Sequence, residues 1–156
     1  MDYKELYKHE KLNFGDMHPG TFLLGLLSAF ENKYQASADN FFKEITWKQM
    51  FAIVCTNLFK ESPTISELAE VIGSSRQNVK QILLKLEGKG FVELIVDPED
   101  RRVQRVLVTA KCINFYMERE GEMDVIFNKL FNGVSDEQII STIKTLMQLE
   151  RNLETL

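Results

Sequence analysis

The residues best equipped for chemistry stand together at Ser74-Ser75-Arg76-Gln77-Asn78, with Lys80 and Gln81 following. A guanidinium can donate twice to guanine, and an Asn or Gln amide can both donate to and accept from adenine. Serine hydroxyls and a lysine ammonium suit phosphate oxygens. This is equipment for reading base edges, not for making or breaking bonds. A second cluster follows at Asp97-Pro98-Glu99-Asp100-Arg101-Arg102. Its carboxylates would repel a nucleic acid, so they need another task. Asp100 can hold and aim Arg102 through a charge-assisted hydrogen bond, and Asp97 can cap the turn. An aimed Arg102 suits a minor groove, where A·T tracts strengthen the negative potential. Thr64 and Arg101 complete the candidate DNA-contacting set.

Other chemistry finds little support. A hydrolytic centre needs a nucleophile, a base and an orienting group together, yet the two histidines, His9 and His18, both lie near the N-terminus. No Gly-rich phosphate loop is present. Cys55 and Cys112 have no paired spacing, so a metal site or disulfide framework is not expected. No catalytic residue, metal ligand or cofactor is therefore assigned.

The elements that position the two clusters are punctuated by four helix-start signatures in which Ser or Thr precedes Glu or Gln by three residues. They are Thr46–Gln49, Thr64–Glu67, Ser74–Gln77 and Ser135–Gln138. A first helix follows Pro19-Gly20 and runs through Leu24, Leu27, Phe30 and Tyr34 toward Ala38. A second starts at Trp47, a third spans Ile65 to Ile72, and a fourth runs from about Ser75 to Gly88, with Val79, Ile82, Leu83 and Leu86 at helical spacing. The period then changes. Phe91 to Val96 and Val103 to Val108 read as two strands around the turn at Asp97–Asp100. Helix returns after Thr109 until Asn132-Gly133, and a last helix covers about Asp136 to Leu153. The third and fourth helices meet three steric requirements of a helix-turn-helix. Ala69 is small at the crossing, Gly73 tolerates positive φ at the turn, and Val79 buries the second helix on the first.

The chain has 156 residues, of which 44% are hydrophobic and 27% charged, enough for one domain with helical extensions. Its net charge of −4 is unevenly spread. Between Ser74 and Lys111 eight Lys and Arg residues face five Asp and Glu, so a basic segment sits on an acidic remainder. No apolar run reaches the ~20 residues needed to cross a bilayer, and the N-terminal Met1-Asp2-Tyr3-Lys4-Glu5 lacks a signal peptide's apolar block. A cytoplasmic location with no membrane partner is the expectation.

Taken together, Ile45-Thr46-Trp47-Lys48-Gln49, Ile65-Ser66-Glu67-Leu68-Ala69, Ser75-Arg76-Gln77-Asn78-Val79, Leu86-Glu87-Gly88-Lys89-Gly90-Phe91-Val92 and Asp97-Pro98-Glu99-Asp100-Arg101-Arg102 resemble the MarR family of winged-helix regulators. The resemblance implies a mainly α fold with a small β-hairpin wing. A winged helix-turn-helix at 45–109 would be flanked by dimerisation helices at 1–44 and 110–156, all in one domain. It further implies a homodimer that binds a pseudo-palindromic operator in double-stranded DNA as a repressor. Ser75 to Gln81 would be the major-groove reader and Arg102, oriented by Asp100, the minor-groove finger. A small ligand or oxidant that changes the spacing of the two reading heads is also implied.

This chain departs from the family pattern in two places. Where the wing usually ends in Leu-Thr-x-x-Gly, it has Val108-Thr109-Ala110-Lys111-Cys112. It also carries no cysteine before Cys55, whose apolar surroundings should raise its pKa, so oxidant sensing is not expected. Zinc sensing is not expected either. Phe22, Phe30, Tyr34, Phe41, Phe42, Trp47 and Phe51 are read as core and dimer interface in preference to a ligand pocket. No polar group among them names an effector. The alternative to a DNA regulator is a winged-helix module for protein binding, which should present an apolar or acidic reading face.

Overall fold

The computed structural model describes residues 5, 11, 13–41 and 43–156. Six helices and one hairpin follow the expected order: α1 Pro19–Phe41, α2 Trp47–Leu58, α3 Ile65–Ile72, α4 Arg76–Gly88, β1 Val92–Val96, β2 Gln104–Val108, α5 Ala110–Leu130 and α6 Asp136–Leu153. His9, Phe42 and the segment Met1 to Lys4 lie outside the described residues.

Three of the four expected capping boxes form as spaced. Thr46, Thr64 and Ser135 each accept from the third helical N–H, while Gln49, Glu67 and Gln138 reach back to the cap. The fourth is displaced by one residue. Ser75, not Ser74, caps α4 and accepts from the Asn78 N–H. The reason lies in how α3 ends. Gly73 adopts φ +68°, its N–H donates to the Glu70 carbonyl, and the Ser74 N–H donates to the Ala69 carbonyl at 3.0 Å. That paired closure holds Ser74 as the tail of α3, so the extended residue that opens the next helix must be Ser75. Ser74 is engaged instead by the Asn78 amide, which donates to its hydroxyl at 2.9 Å.

The described contacts group the chain into two compact units, one ending at Thr109 and one beginning at Ala110. In the first, α2, α3 and α4 pack on one another, β1 lies on α4, β2 lies on α2 and α3, and α1 meets α2. Ile45, Ile53, Leu68, Val79, Leu83, Leu86, Val92 and Val106 are fully buried at its centre. At about 1.5–3 kcal/mol for each large aliphatic side chain removed from water, this set fixes the mutual placement of α3, α4 and the hairpin. An aromatic ladder joins α1 to α2: Phe30 stacks on Tyr34, Tyr34 meets Trp47 edge-on at 4.5 Å, and Trp47 stacks on Phe51.

In the second unit Gly133, at φ +77°, follows α5 where the sequence places the break. No residue of α6 is buried, although Ile140, Ile143, Met147 and Leu153 recur along it. Among the described residues no helix is long and apolar enough to cross a membrane.

Candidate nucleic-acid interface

The reading helix is seated by three residues. Ala69 and Val79 are buried where α3 and α4 meet, and Gly73 makes the turn between them. With Val79 inward, Arg76, Gln77, Asn78, Lys80 and Gln81 are all exposed on α4, next to the exposed cap Ser75. The first turn of a helix also presents unpaired N–H groups and the positive end of the helix dipole, which favours an anion such as phosphate. Thr64 is placed differently, as the half-buried cap of α3. Its hydroxyl accepts from the Glu67 N–H, and its own N–H donates to Glu67 at 2.7 Å. Those two bonds hold the Glu67 carboxyl below the usual carboxylate range.

The wing is an antiparallel hairpin in which Val92 opposes Val108 and Val96 opposes Gln104. At its tip one oxygen of buried Asp97 accepts from the N–H groups of Glu99 (2.8 Å) and Asp100 (3.0 Å), which winds the turn. Asp100 grips Arg102 with both oxygens, receiving Nε and Nη2 at 3.0 Å each. It also accepts from the Arg102 N–H at 2.9 Å. The Arg102 side chain is nevertheless 89% exposed, so the grip aims it outward without burying it. Arg101 is exposed beside it. The Arg102 side chain, then its backbone N–H, hold the Asp100 carboxyl below its ordinary value.

The structure adds a residue to which the sequence gave no part in the site. Arg105 directs Nε to the second oxygen of Asp97 and Nη1 to the Ser62 carbonyl at 2.7 Å. Arg105 also bridges Thr64 in an isolated antiparallel pair, and the Val106 N–H donates to the Pro63 carbonyl at 2.8 Å. The Asp97 carboxyl is held below its usual range first by Arg105 and then by the Glu99 and Asp100 N–H groups. A signal existed: Arg105 opposes Ile95, so Arg105 and Asp97 are diagonal neighbours on one hairpin face. That register cannot be fixed before the turn is known. The Ser62 partner lies 43 residues away and leaves no local trace.

Cys55 and Cys112 are both buried, and burial raises both thiols, Cys112 to about 11. Neither is therefore a ready thiolate at neutral pH. Among the described residues no group of His, Cys, Asp and Glu is arranged to hold a metal ion. A cleft of about 330 Å³ opens beside the reader within the first unit. Trp47, Phe51, Ile72 and Ile82 give it an apolar floor, and Glu31, Lys48, Ser74 and Asn78 give it polar edges.

A helix-turn-helix whose second helix runs into a two-stranded wing defines a winged helix-turn-helix protein. The family model described as MarR family matches residues 45–103, the segment from the start of α2 into the wing, and through it the chain belongs to the MarR family. Members of that family are transcriptional regulators. Solved structures agree over nearly the whole chain. FabT of Streptococcus pneumoniae, solved in complex with DNA, is 26% identical, with 88% of this chain and 99% of that one covered and a TM-score of 0.60. A MarR/EmrR family transcriptional regulator from Acinetobacter sp. ADP1 is 14% identical, with 93% and 100% covered and a TM-score of 0.76. MepR of S. aureus, in a DNA complex, is 19% identical, with 87% and 99% covered and a TM-score of 0.70. At such identities the last two speak for the fold.

Proposed function

We propose that this protein is a sequence-specific DNA-binding transcriptional repressor that acts in the cytoplasm as a homodimer on a pseudo-palindromic operator. The single observation that carries the reading is the outward-aimed Arg102. A guanidinium gripped by Asp100 at a hairpin tip, yet almost wholly exposed, is pre-oriented for a partner, and a narrow minor groove is the anionic slot it fits. Arg76, Gln77 and Asn78 at the start of α4 supply base-edge contacts in the major groove, with Ser75, Lys80 and Gln81 on or near phosphates. Thr64, Ser74 and Arg101 flank these surfaces. That two similar proteins are recorded with DNA supports the same partner here.

The exposed apolar row on α6 supports the dimer, since monomers seldom leave such a patch uncovered. The cleft against Ser74 and Asn78 is where we place a small-molecule effector. A ligand that engaged Asn78 there would draw it from the reading face and loosen DNA. The test is a gel shift with the chain's own upstream DNA across a salt series. Tight binding that weakens steeply with salt is the expected result. No salt-sensitive binding to any sequence, alongside capture of a protein partner, would favour the protein-interaction module instead.

A further inference from the structure

The wing carries three arginines, and they are disposed in two ways. Arg101 and Arg102 are exposed at the tip, whereas Arg105 is two-thirds covered, with Nε on Asp97 and Nη1 on the Ser62 carbonyl. Asp97 is itself the residue that winds the tip turn, through the Glu99 and Asp100 N–H groups. Ser62 lies in the segment between α2 and α3, one residue before Pro63 and two before the Thr64 cap. One guanidinium thus ties the turn that presents Arg102 to the segment that starts the helix-turn-helix. The ties on either side of it are backbone pairs: Thr64 with Arg105, and Val106 with Pro63. Glu67 and Glu61 add negative charge around the guanidinium.

We propose that Arg105 is a positioning residue for DNA recognition, a latch that sets the wing tip at a fixed offset from α4 so that both grooves are met in register. The proposal rests on the DNA-binding reading above. A flexible hairpin would have to be ordered at the moment of binding, and the latch removes that entropic cost beforehand. The latch needs a fork. Its bonds diverge to a carboxylate and a carbonyl, and lysine, with one compact ammonium, cannot reproduce that geometry although it keeps the charge.

The experiment titrates operator DNA across a salt series with the wild-type chain and the variants Arg105→Lys, Arg105→Ala, Arg102→Ala and the Arg105→Ala/Arg102→Ala double. Amide hydrogen exchange of the free proteins is measured alongside. Arg105→Lys and Arg105→Ala are each expected to weaken operator binding about tenfold, the scale of one lost charge-assisted bond. The salt slope should stay unchanged, because Arg105 touches no phosphate. Arg102→Ala should lose most of its effect in the Arg105→Ala background, since an unlatched wing no longer delivers Arg102. Exchange at the Glu99 and Asp100 amides should quicken while α3 and α4 keep their protection, which separates an unlatched wing from an unfolded chain. A slope that falls by about one in Arg105→Ala would make Arg105 a phosphate contact and overturn the latch. So would additive losses in the double variant, or unchanged exchange at the tip. A wild-type chain without salt-sensitive DNA binding would instead overturn the DNA reading itself.

Discussion

A guanidinium reads DNA in proportion to how well it is placed, and here Arg76 and Arg102 are placed for different tasks. Arg76 projects from the first turn of α4 at the surface proposed to meet base edges. Arg76→Ala is expected to cost about 1–3 kcal/mol at the operator and much less on random DNA, as measured by competition titration. Arg102→Ala should lower affinity for both, with a smaller loss of discrimination, because the width of a minor groove carries less sequence information than its neighbour's edges. Equal losses for the two variants on both DNAs would show that the reading face is misassigned. The pH response follows from the carboxylates that hold the wing. Asp97 and Asp100 lie below their ordinary value in the fold, because each accepts from an arginine and from backbone N–H groups. A carboxylate lowered on folding adds stability that is fully present above its unfolded value of about 3.9 and is lost as pH falls through the lower folded value. The wing should therefore stay aimed from pH 8 down to about 5. A carboxyl NMR titration showing Asp100 protonating near pH 6 would contradict this. The Asp100 grip on Arg102 was legible in the sequence, since the two residues are neighbours but one. The Arg105 latch was not, since it depends on hairpin register and on a carbonyl far along the chain.

Helices here begin and end where short-range chemistry tells them to, which is why their bounds could be read almost residue by residue. Val79, buried against the small Ala69, and the alternation in the wing strands likewise carried their own signals. The displaced cap of α4 marks where that legibility stops. Two serines stand side by side, both three residues from an amide, and only the closure of α3 on Gly73 decides between them. That decision has a measurable consequence. Ser75→Ala should lower stability by about 1 kcal/mol, the ordinary value of a lost cap, and Ser74→Ala by distinctly less. Urea denaturation midpoints give the order directly, and the reverse order would return the cap to Ser74. Gly73→Ala isolates the turn. A Cβ there meets nothing within 4 Å, so the penalty is the left-handed backbone alone. About 1–2 kcal/mol is expected, with a melting temperature lower by several degrees and weaker operator binding as α4 loses its seat.

At the scale of the molecule, the net charge of −4 hides a basic reading segment whose placement in the fold matters more than the total. What the sequence could not supply is the second copy. An amphipathic pattern says that a helix has an apolar side but not which surface covers it. Ile140, Ile143, Met147 and Leu153 stay exposed on α6, and Ile143 is 49% accessible. If a second copy covers this row, the variant Ile143→Asp/Met147→Asp should leave each wing and reading helix intact, because none of α6 is buried in the single chain. Sedimentation equilibrium should then find monomers. The DNA readout follows from counting charges. A dimer sets two readers and two wings on the operator, and a monomer sets one of each, so the slope of log affinity against log salt should fall by about half. Binding to an isolated half-site should be unchanged, since each head is complete in itself. A variant that sediments as a dimer, or a monomer that keeps the full salt slope, would remove α6 from the interface and require the two heads to be joined elsewhere.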